Sequence, residues 1–284
     1  MLLNPKFRGE VMRLLAHAWA LLLQSAANIC RFRAADDESF TGSLPGKNDL
    51  PILFTACDAS YFRSFAVPLI ASWRHHSPDH PFHIHIYEPG PDDRAELDRL
   101  AARGNFTWSA GTSAAYAGRR RIFRYSADRF YTALRLLDCS AAGVLFMDTD
   151  SMIRSDISKG ELDPTADVSL YFHERFRNHP ALSIKAGVIF FASTPNGRAY
   201  LRDVCRNLAL RSKLPLFRHI DQRALFQAHI FHMARRRTVF RPLPFSMIDW
   251  EFGAGSTIWT AKGARKSDER FASAQIAEIG QEAA

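Results

Sequence analysis

Gly143-Val144-Leu145-Phe146-Met147-Asp148-Thr149-Asp150 (residues 143–150) is the stretch that decides the fold. An apolar run with no polar alternation stops abruptly at two aspartates. A short segment that is apolar on both faces reads as a central strand of a sheet covered by helices. Sheets of that kind bind ligands at the carboxyl ends of their strands. Asp148 and Asp150 stand two apart in extended chain, so both carboxylates leave the backbone on one side and can face one cation. An isolated Asp-x-Asp triplet is explained as readily by a surface turn; the buried strand running into it removes that explanation.

Working outward, Ile52 to Cys57 is another buried-strand run and stops at Asp58. Phe65 to Trp73 continues as a helix, with Pro78 beyond it, and Phe82 to Tyr87 alternates as a second strand. Asp92 to Arg103 carries acids early and bases late, as a helix dipole prefers, and Gly104 stops it. Ser126 to Leu137 reads as a helix with Ser126 as N-cap. Val168 to Phe172 and Ala186 to Phe191 are further strands, and Asp221 to His229 is a short helix. Strand and helix alternate throughout. The expected fold is therefore α/β: a Rossmann-like single domain with a mostly parallel central sheet flanked by helices, over residues 50–270. Residues 1–49 form an N-terminal helical extension and linker, and 271–284 a C-terminal tail.

The 284 residues are 47% hydrophobic and 23% charged, ordinary values for a globular enzyme and not for a disordered chain. A formal net charge of +8 and a pI near 9.6 favour anionic partners: nucleotides, phosphorylated substrates or an acidic membrane surface. Nucleic acid is excluded as a partner, because the basic residues are scattered and no nucleic-acid motif is present. Cys30, Cys57, Cys139 and Cys205 form no Cys-x-x-Cys pair and read as reduced thiols in a reducing, cytoplasmic compartment.

Val11 to Ile29 is strongly apolar. Leu14, Leu15, Ala18, Leu21 and Leu22 share one helical face, while Arg13, His17 and Gln24 mark a narrow polar stripe. The segment is short and interrupted for a membrane span and lacks a secretory cleavage site. Two readings stand: a helix packed on the domain, which is favoured, and an interfacial helix on the inner leaflet aided by Arg31 and Arg33. Asp36 to Asn48, rich in Asp, Ser, Gly and Pro, reads as a linker.

Paired carboxylates at a strand end suit a hard cation, Mn2+ or Mg2+, which can bridge two phosphate oxygens. Haloacid-dehalogenase-like phosphatases also place Asp-x-Asp after an apolar strand, with the first Asp as nucleophile. They carry it on the first core strand with Thr or Val two positions on; here Met152 stands there, after two earlier strand–helix units.

Several segments in order resemble retaining glycosyltransferases of family 8. Ile52 to Tyr61 is similar to the family's opening strand, which implies donor-binding roles for Thr55, Asp58 and Tyr61 at the nucleotide. Arg129 matches the family's Arg near the donor. Asp148-Thr149-Asp150 with Met152-Ile153 resembles the metal motif, which implies Asp148 and Asp150 as ligands and Thr149 beside the donor. Lys185-Ala186-Gly187-Val188 resembles the family's Asn-Ala-Gly-Val segment, with Lys185 in place of Asn. Asp221-Gln222 resembles the Asp-Gln pair beside the anomeric carbon and acceptor, the implied catalytic pair; on residue chemistry alone Asp221 is a helix N-cap. Thr260 to Lys266 has the spacing of the His-x-x-Gly-x-x-Lys diphosphate loop, implying Gly263 and Lys266 at the donor, but Thr260 stands where the family has its third metal ligand. The resemblance covers roughly Pro51 to Lys266. It implies the GT-A fold, a nucleotide-diphosphate sugar donor with uridine as its base, a glycan, lipid-linked or other hydroxyl acceptor, metal dependence and retention of configuration. The alternative is a catalytically degenerate donor-binding protein.

Other conspicuous residues have plainer explanations. His83 and His85 share a strand face without a third ligand nearby and read as satisfied strand histidines. Arg119 to Arg121 and Arg235 to Arg237 read as solvated runs, or as a docking face for an acidic acceptor or membrane. Phe240, Phe245, Trp250, Phe252 and Trp259 are a candidate acceptor wall, at least half of it ordinary packing.

Overall fold

The structure is a computed structural model that describes residues 5–29, 41–112, 119–157, 161–176, 179–211, 219–235 and 238–283. Helix α1 (Pro5–Ile29) leads the chain, and β1 (Thr41–Gly42) adds a short edge strand inside the expected linker. Strand β2 (Ile52–Asp58) feeds α2 (Ala59–Tyr61), a π-helical turn over Phe62–Ala66, and α3 (Val67–His76). Next come β3 (Phe82–Tyr87), α4 (Pro91–Ala101), β4 (Phe106–Gly111), α5 (Arg119–Leu136), β5 (Gly143–Met147) and β6 (Ser151–Ile153). Strands β7 (Val168–Phe172) and β8 (Ile184–Ala192) precede helices α6 (Pro195–Arg211) and α7 (Ile220–Arg235). The chain closes with β9 (Phe240–Pro242), β10 (Ile258–Thr260) and α8 (Glu269–Ala283).

The main sheet has the order β1-β4-β3-β2-β5-β8-β7-β9. Strands β4, β3, β2 and β5 run parallel, as right-handed strand–helix–strand units require. β8 is antiparallel to both β5 and β7, and β9 is parallel to β7. The mostly parallel α/β sheet expected from the sequence is what forms.

β5 shows why a continuous apolar run was needed. Val144 and Phe146 enter a core with Phe54, Phe130 and Tyr200; Leu145 and Met147 enter the opposite one with Leu69, Trp73 and Phe82. All four β5 side chains are fully buried, each contributing about 1.5–3 kcal/mol. Gly143 opens the strand at φ +144°, where an added Cβ would lie 2.3 Å from the Phe191 carbonyl oxygen. Only glycine fits that start.

Three expectations need correction. Ser126 is not an N-cap, since α5 already begins at Arg119; arginine is a strong helix former and the basic run extends the helix upstream. Asp221 lies inside the first turn of α7, one residue past Ile220, and α7 continues to Arg235. The expected tail at 271–284 is largely helix α8, with Phe271 fully buried and Glu278 held by Arg154, His75 and His76.

Helix α1 packs on α6 and α7, as the favoured reading has it, and turns its polar stripe inward. Ala20, Gln24 and Ala27 are buried, while Leu14, Leu15, Trp19 and Leu22 are 58–66% exposed. The Gln24 Oε1 accepts from Asn207 Nδ2 at 2.6 Å, and Asn207 Oδ1 accepts from Gln227 Nε2 at 2.6 Å. Buried amides in a satisfied chain of hydrogen bonds lose little on leaving water. Arg13, Cys30, Arg31 and Arg33 lie outside the described side chains. Among the described residues no helix is long and apolar enough to cross a membrane.

Candidate active site

β5 ends at Met147, and the chain turns through Asp148, Thr149 and Asp150 into β6. The turn is braced from below. Thr149 Oγ1 donates to the Ala56 carbonyl at 3.1 Å and stands 2.8 Å from Thr55 Oγ1. Both threonines are buried, so these two expected donor-binding side chains fix the turn instead of facing the crevice. Asp148 N–H donates to the Gly187 carbonyl at 2.7 Å, tying the turn to β8.

Arg129, on α5, links the two acidic sites. Its Nη1 donates to Asp148 Oδ1 and its Nη2 to Asp221 Oδ2, each at 2.6 Å, and its Nε reaches the Ser126 carbonyl at 3.2 Å. The guanidinium also lies 4.7 Å from the Phe146 ring centroid. The planar fork suits two carboxylates at once, as a lysine ammonium would not. Burial opposes ionisation of Asp148, but Lys262 and Arg129 outweigh it and hold the carboxyl below its ordinary value. Asp150 goes the other way: burial, then the Asp148 charge, push it up, and Lys266 offsets this only in part.

The short ladder of β6 with β10 brings the C-terminal loop to this crevice. Ser151 faces Thr260, and the Ala261 N–H donates to the Asp150 carbonyl at 2.8 Å. Thr260 is fully buried with its hydroxyl 3.3 Å from Ser151 Oγ. Two lysines farther along meet the aspartates. Lys262 Nζ lies 3.4 Å from Asp148 Oδ2, and Lys266 Nζ lies 2.8 Å from Asp150 Oδ2 and 2.6 Å from Tyr61 Oη. Lys266 also stands 4.5 Å over the Tyr61 ring and 5.2 Å from that of Phe65. Asp58 Oδ1 accepts from the Tyr61 N–H at 2.9 Å and so sets that ring's place at the start of α2. Gly263, at φ +60°, makes the turn between the two lysines.

The structure thus brings together Asp58, Tyr61, Arg129, Asp148, Asp150, Gly187, Asp221 and Lys266. Lys185 joins them at the edge: burial first, then the Lys262 charge, push its ammonium down. Gln222 follows Asp221 with its Oε1 buried and without a protein partner. Lys262 was missed in the sequence. The signal that points to it is Gly187, where an added Cβ would lie 2.6 Å from Lys262 Nζ and 3.3 Å from Asp148 Oδ2.

A resident Mn2+ or Mg2+ fits this donor set poorly. Such an ion seeks about six oxygens at roughly 2.0–2.2 Å. The Asp-x-Asp turn offers two carboxylates, each already facing an ammonium, Asp221 is held by Arg129, and Thr260 is committed to Ser151. Among the described residues, the group of three His, Cys, Asp or Glu side chains close enough to share an ion is His75, His76 and Glu278. There Arg154 is already 2.6 Å from Glu278 Oε1.

The remaining conspicuous residues are accounted for by packing. His83 Nδ1 and Nε2 meet Thr107 and Ser109 hydroxyls at 2.8 and 2.9 Å, and His85 Nδ1 meets Ser109 at 2.8 Å. Burial pushes both imidazoles down to about 3, so they are neutral strand residues. Phe252 and Trp259 belong to a small core with Phe271. Phe245 and Trp250 are part-buried and cluster with Tyr171, which pairs with Lys185 across the β7–β8 ladder. Arg235 is exposed and stacks over Phe231 at 4.0 Å; Arg236, Arg237 and the side chains of Arg119 to Arg121 lie outside the described residues. An apolar cavity of about 630 Å³ between α1, α7 and β9, lined by His17, Phe226, Met233 and Phe240, shares no residue with the crevice.

This strand order, with an Asp-x-Asp turn at the end of the central strand, matches the GT-A fold. Three solved glycosyltransferase structures share it. The apo bifunctional glycosyltransferase WbbM matches at TM-score 0.54 and 13% identity, over 87% of this chain and 50% of its own. GlyE of Streptococcus pneumoniae TIGR4 matches at 0.52 and 14%, over 82% and 63%. The galactosyltransferase LgtC, solved with donor and acceptor sugar analogues, matches at 0.50 and 14%, over 80% and 95%. The chain therefore spans half the length of WbbM and under two thirds of GlyE. No protein-family model matches the sequence, and no curated protein does.

Proposed function

We propose that the chain transfers a sugar from a nucleotide-diphosphate donor to a hydroxyl acceptor in the crevice at the end of β5. The observation that carries this is the convergence of Arg129, Lys262 and Lys266 on Asp148, Asp150 and Asp221 at a strand end that opens to solvent. Cations held in place before the substrate arrives suit a leaving diphosphate whose charge grows as it departs. In the reaction the C1–O bond of the donor breaks and its electron pair leaves with the nucleoside diphosphate. The acceptor oxygen bonds to C1, and its proton passes to the departing phosphate.

Asp58 and Tyr61 sit where the nucleoside would lie, with uridine the base implied by the family 8 resemblance. Asp221 and Gln222 face the sugar, where the unpartnered Gln222 Oε1 is an acceptor suited to a sugar hydroxyl. Tyr171, Phe245 and Trp250 form the acceptor wall, since ring faces stack on sugars. Retention of configuration rests on the resemblance alone, and Mn2+ or Mg2+ on Asp148 and Asp150 is the alternative carrier of positive charge. The phosphatase reading is disfavoured because the motif lies on β5, after three earlier core strands. The outward apolar face of α1 supports a second proposal, peripheral attachment to the cytoplasmic face of a membrane.

A thermal-shift screen of nucleotide sugars, with and without manganese, tests the donor site. A ligand at a hundred times its dissociation constant adds about 2.7 kcal/mol, or roughly 5–10 °C for a chain this size. The preferred donor is expected to hydrolyse slowly without acceptor. Asp150→Asn is expected to abolish that hydrolysis and keep the fold. Donor binding without turnover, over many acceptors, would favour the degenerate binding protein; no shift with any nucleotide sugar would remove the donor reading.

A further inference from the structure

We infer that Lys262 and Lys266 form a built-in counter-charge for the donor's diphosphate, in place of a resident divalent ion. The inference rests on the crevice being a donor site, as proposed above, and concerns how that site is charged.

Charge balance comes first. Asp148, Asp150 and Asp221 bring three negative charges, and Arg129, Lys262 and Lys266, the cations in contact with them, bring three positive ones. These side chains are thus already balanced among themselves. A divalent ion would have to displace both ammonium groups from the oxygens it needs.

Donor counting agrees. An ammonium has three N–H donors and no acceptor. Lys266 spends two, on Asp150 and Tyr61, and keeps one. Lys262 is engaged only loosely, by Asp148 at 3.4 Å. Their side chains are 23% and 33% exposed, so the spare donors open onto the crevice and not into the core. A lysine ammonium binds phosphate as a point charge, and here the aspartates hold both charges in place before the ligand arrives.

Gly187 is the third observation. Gly187 on β8 leaves Lys262 room beside Asp148; a Cβ there would stand 2.6 Å from the ammonium and make that side chain shift. Thr260 completes the exchange. Its hydroxyl is turned onto Ser151, and the next two side chains of the loop that can carry charge near the aspartates are lysines. The role of the aspartates changes accordingly: they position ammonium groups.

The test is titration calorimetry of the full chain with uridine diphosphate and, separately, inorganic pyrophosphate, in EDTA and in manganese. Wild-type affinity for both is expected to differ between the two buffers by less than about threefold. Lys262→Met should weaken binding in EDTA by about tenfold or more, and Lys262→Arg should restore most of it. Manganese should partly rescue Lys262→Met, because Asp148 Oδ2 then loses its ammonium and can take an ion. Lys266→Met serves as the second variant should Lys262→Met unfold. Wild-type binding that disappears in EDTA and returns with manganese, with Lys262→Met behaving as wild type, would overturn the inference and leave the donor site standing. Absence of diphosphate binding in both buffers would overturn the donor site itself.

Discussion

Arg129→Met is expected to lower the unfolding free energy by about 3–5 kcal/mol and to abolish donor turnover. The guanidinium is 13% exposed and bridges Asp148 and Asp221 at 2.6 Å each, so its loss leaves two facing carboxylates without their shared cation. Removing one partner of a buried ionic cluster costs that much because the remaining charge stays desolvated. Arg129→Lys should fall between, keeping the charge but reaching only one carboxylate well. The pH dependence follows from Asp148, whose carboxyl is held below its ordinary 3.8 because Lys262 and Arg129 outweigh burial. A depressed carboxyl stabilises the fold above its unfolded pKa and loses that contribution as pH falls through the folded one. The gap between wild type and Arg129→Met should therefore be full above pH 3.8 and narrow below it. Urea titration at pH 7 and at pH 3 checks both statements. A variant within about 0.5 kcal/mol of wild type at pH 7 would show the bridge to be inert.

The second large effect is on membrane attachment. Leu14, Leu15, Trp19 and Leu22 are 58–66% exposed on one side of α1, and burying them at a lipid boundary gains on the order of 5 kcal/mol. That is close to a single acyl chain, which anchors only marginally and reversibly. A net charge of +8 supplies the second attraction, towards anionic lipid. The chain is therefore expected to float with phosphatidylglycerol-containing vesicles at low salt, less at high salt, and hardly at all with neutral ones. Leu15→Glu with Leu22→Glu should abolish flotation without changing stability, since both side chains face outward. Equal flotation of wild type and double variant would contradict attachment through α1. So would a wild-type dimer, seen by light scattering, that the same double variant splits.

How much of this was legible in the sequence depends on what each residue must touch. β5 announced itself because Val144 to Met147 are buried in two cores, and burial on both faces leaves no polar alternation. The aspartates followed from the strand end. β6 and β10 did not announce themselves: each is three residues long, too short to show a period, and they exist because they pair with each other. The orientation of α1 was hidden for a different reason. Periodicity separates the stripe of His17 and Gln24 from that of Leu14 and Leu22, but only Asn207 and Gln227, far along the chain, decide which stripe turns inward. The spacing of Thr260, Gly263 and Lys266 was visible, while Lys262 was not. Its place depends on a gap opposite, at Gly187, that a one-dimensional reading does not show.

The central claim, a donor site at the end of β5, is tested most directly by a crystal structure of the full chain grown with the nucleotide sugar that stabilises it most. The diphosphate is predicted to lie with phosphate oxygens about 3 Å from Lys262 Nζ and Lys266 Nζ, beside Gly187 and the Asp148 turn, with the nucleoside towards Asp58 and Tyr61. Density for the nucleotide elsewhere, such as in the apolar cavity between α1 and α7, with the crevice ammonium groups still closed on their aspartates, would contradict it.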